Sequence, residues 1–557
     1  MASPFIERGR FQAVKWRAFG REAFAEARAA GKTLLIYCGE SSAHSSHVLD
    51  TTCLDEESVA AQINEQFVAV RLDADMWPEL AARLQPEGER LPLLSVCDAD
   101  GRLRVTIDRF SAAHFSDLLQ KLSTHTEVAP PSHSVELRRP PSSTLPIPDA
   151  LSLLKQSIDR SYDDIAPGFG LPPRHAHPPL LELMLVLGGP YAKRAHAILA
   201  AMAEGGIHDQ LCGGFHRYSL DERFTVPHFE KRASDQAALI PLYARLPNER
   251  FIEVAGSTVD YLETRLRDSE GGYASSESAD AGDYDDGSHY TFSLEEARAI
   301  LSTEDLAVAQ PYYDLYERGE LPRDPTRNVL YRSGSLAQIA KELRLGERTV
   351  AERLARVRTR LRKARQDRPQ PELDRTLYSR VQSQIASSYL VAAGPLGRPN
   401  LVTRALDVLD RIYAEGIDSN GGVRRVLGQP SEVLALTDQV EAARAAISAH
   451  RLTGDGKHRS FARSLSDLIC DRFFADGLLR DLSAPAGPGV FAAPRWPLLD
   501  RERPSATALA VEVLSDTALL TGESRYRSSV HAIGNAALGS AAELGLRGAG
   551  LLLTLSR

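Results

Sequence analysis

The sequence predicts a two-part chain: an α/β domain at the N-terminus and an all-α remainder. Three observations predict it. Up to about residue 124, short apolar runs alternate with amphipathic stretches; a proline-rich segment follows; from about residue 150 onward, apolar residues recur at spacings of three and four.

Residues 20–32 have helical spacing and end at Gly31, a natural C-cap. The run 33–38 is a short buried strand, 55–67 an amphipathic helix, and 67–73 a second strand. Residues 91–108 read as strand, Asp-Gly turn and strand, and 111–122 as a closing helix. This is the thioredoxin order, and Pro92 stands just before a strand, where that fold keeps a cis-proline. The predicted thioredoxin-like domain is 1–124. Between 125 and 149, Pro130, Pro131, Pro140, Pro141, Pro146 and Pro148 predict an extended, semi-rigid linker. Residues 150–557 show helix after helix with no strong sequence repeat. Repeated hairpins in one large domain point to a closed α-toroid, whose central cavity is the natural pocket.

Composition narrows the function classes. The 557 residues are 43% hydrophobic and 25% charged, ordinary for a soluble globular protein. A net charge of -8 gives no general attraction to nucleic acid or anionic membrane. The N-terminus lacks the apolar core of a secretory signal, and no run of roughly 18 apolar residues predicts a membrane span. Cys38, Cys53, Cys97, Cys212 and Cys470 are scattered and form neither a disulfide framework nor Cys-x-x-Cys. A reducing cytoplasm is the simplest compartment.

The densest polar stretch is 205–231. It gathers His208, His216, His228, Arg217, Arg223, Asp209, Asp221, Glu222 and Glu230 among four glycines. Glycines allow turns and close approach where a side chain would block them, so the stretch reads as a loop-rich site wall between helices. Its segments G-G-F-H-R-Y-S-L-D-E-R and V-P-H-F-E-K, with Asp235 and Gln236, resemble the spermatogenesis-associated, thioredoxin-like family and its bacterial relatives. So do G-G-Y-A-S-S-E-S-A-D-A (271–281) and V-K-W-R-A-F-G-R-E-A-F (14–24). The resemblance implies a thioredoxin-like domain before an (α/α)6 toroid similar to N-acylglucosamine 2-epimerases and six-hairpin glycosidases.

Two departures qualify that resemblance. The family carries Cys-x-x-Cys flanked by histidine; here Ala43 and Ser46 stand in place of the cysteines, while His44, His47 and Val48 remain. Dithiol exchange needs two sulfurs, so this divergent member is expected to be redox-inactive. The family's Asp-Lys and Trp-Asn segment is eroded at 374–381, with Arg380 and Val381 for Trp and Asn.

Taken with the resemblance, His208, His216 and His228 are candidate acid/base groups, since histidine takes and gives a proton near pH ~6.5. Sugar epimerisation needs a base on one face of a carbon and an acid on the other, and one positioned group contributes roughly 10²–10⁴-fold. Glu230 and Asp235 would orient a histidine or act as acids; Arg217, Tyr218 and Arg223 would hold the ligand. The alternative is a buried hydrogen-bond network that fixes the loop. Glu277 and Asp280 are further ligand candidates: paired carboxylates suit glycosidic hydrolysis if they straddle a bond, and otherwise cap a helix or turn. An acidic loop of Asp280, Asp283, Asp285 and Asp286 has irregular spacing that favours solvation over a hard cation. His44 and His47 share a helix face but do not make a metal site alone. No metal and no cofactor are expected.

Residues 335–365 mimic a helix-turn-helix with Gly346 at the turn. Net acidity and placement among toroid helices weigh against DNA. The expected partner is a sugar-like small molecule or a protein, with neither nucleic acid nor membrane. The leading reading is a sugar epimerase- or isomerase-like pocket; its rival is a non-catalytic binding or scaffold protein.

Overall fold

The computed structural model describes residues 3–85, 91–128, 134–141, 145–282 and 287–557. Two compact units divide the chain: Met1–Leu154, Asp374–Ser387 and Ala405–Arg557 form the first, and Lys155–Leu373 with Ser388–Arg404 the second.

The first unit opens with β1 (Arg17–Ala18), β2 (Thr33–Gly39), β3 (Phe67–Asp73), β4 (Leu93–Cys97) and β5 (Leu103–Ile107), ordered β1-β3-β2-β4-β5. β3 lies parallel to β1 and β2, and β4 runs antiparallel to both β2 and β5. This is the thioredoxin-like sheet the sequence predicts. Strand periodicity explains its two-sided burial. Leu34, Ile36 and Cys38 face one apolar cluster with Phe24, Leu80 and Phe491, while Leu35 and Tyr37 face another with Ile63, Phe115 and Leu119. The helix Arg21–Ala30 ends on Gly31 at φ 63°, the left-handed cap that glycine takes without strain. The Leu91–Pro92 peptide is cis.

Part of the proline-rich stretch, including Pro130 and Pro131, lies outside the described residues. Glu136 in that stretch is buried; it accepts bonds from Leu498 N (2.8 Å) and Leu499 N (3.0 Å) and pairs with Arg495. The helix Ile147–Ser161 follows.

The remainder is built from helical hairpins in which a helix buried on nearly every side precedes an amphipathic one. Ala233–Ala244 with Glu249–Tyr261 is such a pair in the second unit; Leu436–Thr453 with Gly456–Leu468 and Ala506–Thr521 with Ser524–Leu538 are others in the first. That alternation is the repeating element of an α/α toroid, the fold class the sequence predicts. No described helix is long and apolar enough to cross a membrane.

One loop plan recurs, although no sequence repeat is obvious. Asp209, Asp268 and Asp418 each open a turn that ends in Gly-Gly, and each donates its own N–H to the second glycine's carbonyl, at 2.9, 2.8 and 2.8 Å. The carboxylates accept backbone N–H groups inside the turn, and the bridges His208↔Phe215, Arg267↔Tyr273 and Ile417↔Val423 close it. The conserved part is too short, and its spacing too variable, to stand out as a repeat in sequence.

Candidate functional site

In the second unit the stretch 205–231 folds back on itself between Gly189–Glu204 and Ala233–Ala244. Gly213 and Gly214 sit at φ 76° and 77°, and a Cβ on Gly213 would lie 2.2 Å from the Ser257 carbonyl oxygen. Only glycine fits. Gln236 pins the loop: it accepts from Phe215 N at 2.6 Å and donates to Phe215 O at 2.8 Å.

Asp209 is the loop's buried centre. Lys231 Nζ donates to it at 2.8 Å, Arg365 Nη1 reaches its two oxygens at 2.8 and 2.7 Å, and Leu211 N donates at 3.0 Å. Burial alone would raise the Asp209 carboxyl; Arg365 and Lys231 outweigh it and hold it well below the ordinary value. Lys231 lies over the rings of Tyr261 and Tyr290, 4.5 and 5.2 Å from their centroids. Tyr261 donates to Glu277 at 2.7 Å, and Arg265 pairs with Glu277 at 3.2 Å. Glu277 arrives by backbone pairing, since Lys231↔Glu277 and Arg232↔Ser276 are antiparallel partners.

The three histidines separate. His208 is buried, its Nε2 at 3.3 Å from Ser257 Oγ, and burial pushes its pKa down to about 3. His216 is buried, bonds Phe229 O through Nδ1 at 2.8 Å, and is driven well below 6.5 by burial and the Lys231 charge. Both are neutral near pH 7. His228 differs: its side chain keeps 10% exposure, its Nε2 stands 3.5 Å from Glu230 Oε2, and its ring stacks on Tyr218 at 4.9 Å. Glu230 is fully buried, 2.9 Å from Arg217 and 3.8 Å from Arg232. Burial raises its carboxyl; Arg217, His228 and Arg232 prevail and hold it well below the ordinary range.

Of the other sequence candidates, Asp235 is buried in the first turn of Ala233–Ala244, and Asp280 is buried, its backbone N–H donating to Ser278 Oγ at 3.1 Å. Arg223 is exposed on the turn organised by Asp221, apart from the histidine cluster. Asp283, Asp285 and Asp286 lie outside the described residues. Sequence reasoning missed Lys231, Tyr261, Tyr290, His289 and Arg365. Lys231 ends the V-P-H-F-E-K run and was within reach; Arg365 sits 156 residues from Asp209, with no local signal. Tyr290 Oη is buried without a hydrogen-bond partner among the described residues, and burial with the Glu277 charge raises its pKa well above 10. His289 bonds Pro369 O at 3.0 Å, and burial lowers it to about 4. Among the described residues no group of three His, Cys, Asp or Glu is placed to hold a metal ion.

The helix-turn-helix mimic folds as Leu336–Leu343 and Glu347–Gln366. Val350, Leu354, Val357 and Leu361 enter an apolar cluster, and Arg356 and Arg365 pair with Asp305 and Asp209.

In the first unit Ala43 caps the helix His44–Leu49 and Ser46 is buried within it. Burial raises the thiols of Cys38 and Cys97, the latter to about 12.

Comparison with known proteins agrees with the N-terminal sheet. Residues 1–89 match the Thioredox_DsbH family, described as a protein of unknown function, DUF255. Spermatogenesis-associated protein 20 of Homo sapiens is 27% identical over 471 residues, 72% of this chain and 59% of that protein. The Mus musculus protein is 26% identical over 475 residues with the same coverage, so the match spans under two thirds of these relatives. Among solved structures, cellobiose 2-epimerase from Bacillus thermoamylovorans aligns over 69% of this chain and 85% of its own, at 11% identity and a TM-score of 0.45. A D-mannose isomerase aligns over 70% and 86%, at 10% identity and a TM-score of 0.45. The chain carries a Thioredox_DsbH domain at its N-terminus and is homologous to spermatogenesis-associated protein 20.

Proposed function

We propose that the second unit binds a reducing sugar at the wall formed by His228, Glu230, Arg217 and Tyr218, with His228 as the acid/base group of an epimerisation or isomerisation. The observation that carries this reading is the carboxylate behind the imidazole: His228 Nε2 lies 3.5 Å from Glu230 Oε2, and Arg217 holds Glu230 ionised at 2.9 Å. A fixed carboxylate orients a histidine. His228 takes the proton from the carbon beside the open-chain aldehyde while the aldehyde oxygen takes one from solvent, and the imidazolium then returns its proton to either carbon of the enediol as the hydroxyl on the other carbon gives one up to solvent. Return to the former aldehyde carbon gives the ketose, and the epimer forms when the enediol turns its opposite face to His228 before the proton returns to the same carbon. Tyr218 offers a ring and a hydroxyl to the sugar. His208 and His216, neutral and enclosed, act as struts. The ligand class rests on the resemblance of 213–231 and 271–281 to the spermatogenesis-associated, thioredoxin-like family, which implies a toroid similar to N-acylglucosamine 2-epimerases.

The test is solvent-deuterium incorporation beside the aldehyde of open-chain aldoses, followed by NMR. Wild-type exchange that falls roughly 10²–10⁴-fold in His228→Ala supports the reading. Leu239→Ala, at a buried core position, instead costs about 2–5 kcal/mol of stability and leaves exchange per folded molecule unchanged. No exchange by the wild type, or equal exchange by His228→Ala, defeats it.

A specific observation favours the non-catalytic reading: Arg380, where the family has Trp, donates to the Asp75 carbonyl of the thioredoxin-like domain at 2.7 Å. A side chain that would line a site serves here as a structural tie. Sugar binding seen by saturation transfer without deuterium incorporation would select this scaffold role.

A further inference from the structure

The recurring loop plan places a second set of charged groups in the first unit, and the glutamine that pins each loop makes the same bonds. Gln439 accepts from Val423 N at 2.7 Å and donates to Val423 O at 2.8 Å and Ala435 O at 3.1 Å. Gln236 makes the same three bonds, to Phe215 N, Phe215 O and Arg232 O, at 2.6, 2.8 and 2.9 Å. Aligned on Gly213-Gly214 and Gly421-Gly422, Arg217 corresponds to Arg425; aligned on Gln236 and Gln439, Asp235 corresponds to Asp438. Arg217 holds a fully buried glutamate, Glu230, at 2.9 Å. Arg425 holds one too, also at 2.9 Å, but this glutamate is Glu79 from the thioredoxin-like domain.

The corner around Arg425 is incompletely satisfied by the chain itself. Arg425 is 4% exposed, and its Nε and Nη1 make no hydrogen bond among the described residues. Asp438 is fully buried and lies 3.2 Å from Arg425 Nε without hydrogen-bond geometry, and the Arg380 backbone N–H also bears on its carboxylate. Trp77 covers the guanidinium at 5.0 Å. Buried polar atoms are normally paired, so a buried guanidinium with two nitrogens that make no hydrogen bond among the described residues marks a recognition corner better than a packed core.

We propose that the Arg425–Asp438 corner is a second carboxylate-binding site, built on the plan of the Arg217 corner and occupied in this chain by its own Glu79. The ligand class is a small carboxylate, which a guanidinium recognises through charge-assisted hydrogen bonds. Burial raises the Asp438 carboxyl to about 7 against the pull of Arg425 and Arg380, so near neutrality it sets less negative charge against a bound carboxylate than an ionised aspartate would. The thioredoxin-like domain, without its dithiol, then serves as a built-in occupant that keeps the corner closed.

The experiment uses the full chain and acetate, the fragment that Glu79→Ala removes. Glu79→Ala is expected to melt below wild type and to recover saturably with acetate, but not with acetamide. Wild type sets the general salt effect, Glu79→Gln fills the space and stays unresponsive, and Glu79→Ala with Arg425→Gln loses the recovery. An acetate response no greater than that of wild type, an equal response to acetamide, or a response that survives Arg425→Gln overturns the proposal. If Glu79→Ala aggregates, its refolding yield from urea in acetate against chloride at equal ionic strength decides instead: a higher yield in acetate supports the site, and equal yields overturn it.

Discussion

Asp209→Asn tests the electrostatic centre of the second unit. The substitution keeps shape and removes one charge. It strands two buried cations, since the side chains of Lys231 and Arg365 are 1% and 5% exposed and Asp209 sits 2.8 and 2.7 Å from them. At an effective dielectric near 20, each contact is worth roughly 6 kcal/mol of attraction before desolvation. Breaking a buried pair from one side costs about 3–5 kcal/mol, and two stranded cations place this variant at the upper end. Arg365→Met should cost less, because Lys231 still neutralises Asp209. The double variant should cost less than the sum, since one stranded cation is gone. Urea unfolding gives the total, and amide exchange over 205–231 localises it, because a chain of two units need not unfold in one step. The folded-state pKa of Asp209 is depressed, so its stabilisation is present above the unfolded value of about 3.9 and is lost as pH falls through the folded value. The gap between wild type and Asp209→Asn should therefore stay constant from pH 8 to about 5 and close in acid. A cost below about 1 kcal/mol at pH 7 would refute the reasoning.

Three further outcomes are expected. In the insulin-reduction assay with dithiothreitol, the protein should match a cysteine-free control, because Ala43 and Ser46 cannot form a mixed disulfide; catalysis above that control would show another thiol at work. Duplex DNA should not bind in a salt-sensitive way, since Val350, Leu354, Val357 and Leu361 are committed to an apolar cluster; affinity that falls steeply with salt would contradict this. His208 is held near 3 when folded against an ordinary 6.5, so the unfolded chain takes up the proton first, and stability should fall as pH drops from 6.5 toward 3. His208→Gln should flatten that limb of a pH series of thermal melts; an unchanged slope would mean that other groups carry it.

What the sequence by itself determined is local. Strand burial on both sheet faces and the Gly31 cap follow from patterns within about a dozen residues, and their physics is backbone geometry and side-chain periodicity. Loss of the redox cysteines is likewise a property of the sequence alone. The stretch 205–231 announced itself because glycines clustered with histidines and charged residues are unusual in a helical chain. Tertiary structure decided which of those histidines stays partly open. His208, His216 and His228 are the same residue type, and only burial against Ser257, Phe229 and Glu230 separates two neutral struts from one paired imidazole. It also decided the partners of buried charge, since a desolvated carboxylate requires a counter-charge from wherever the chain passes. Arg365 reaches Asp209 across 156 residues and Arg425 reaches Glu79 across 346, and no local pattern in the sequence encodes either meeting.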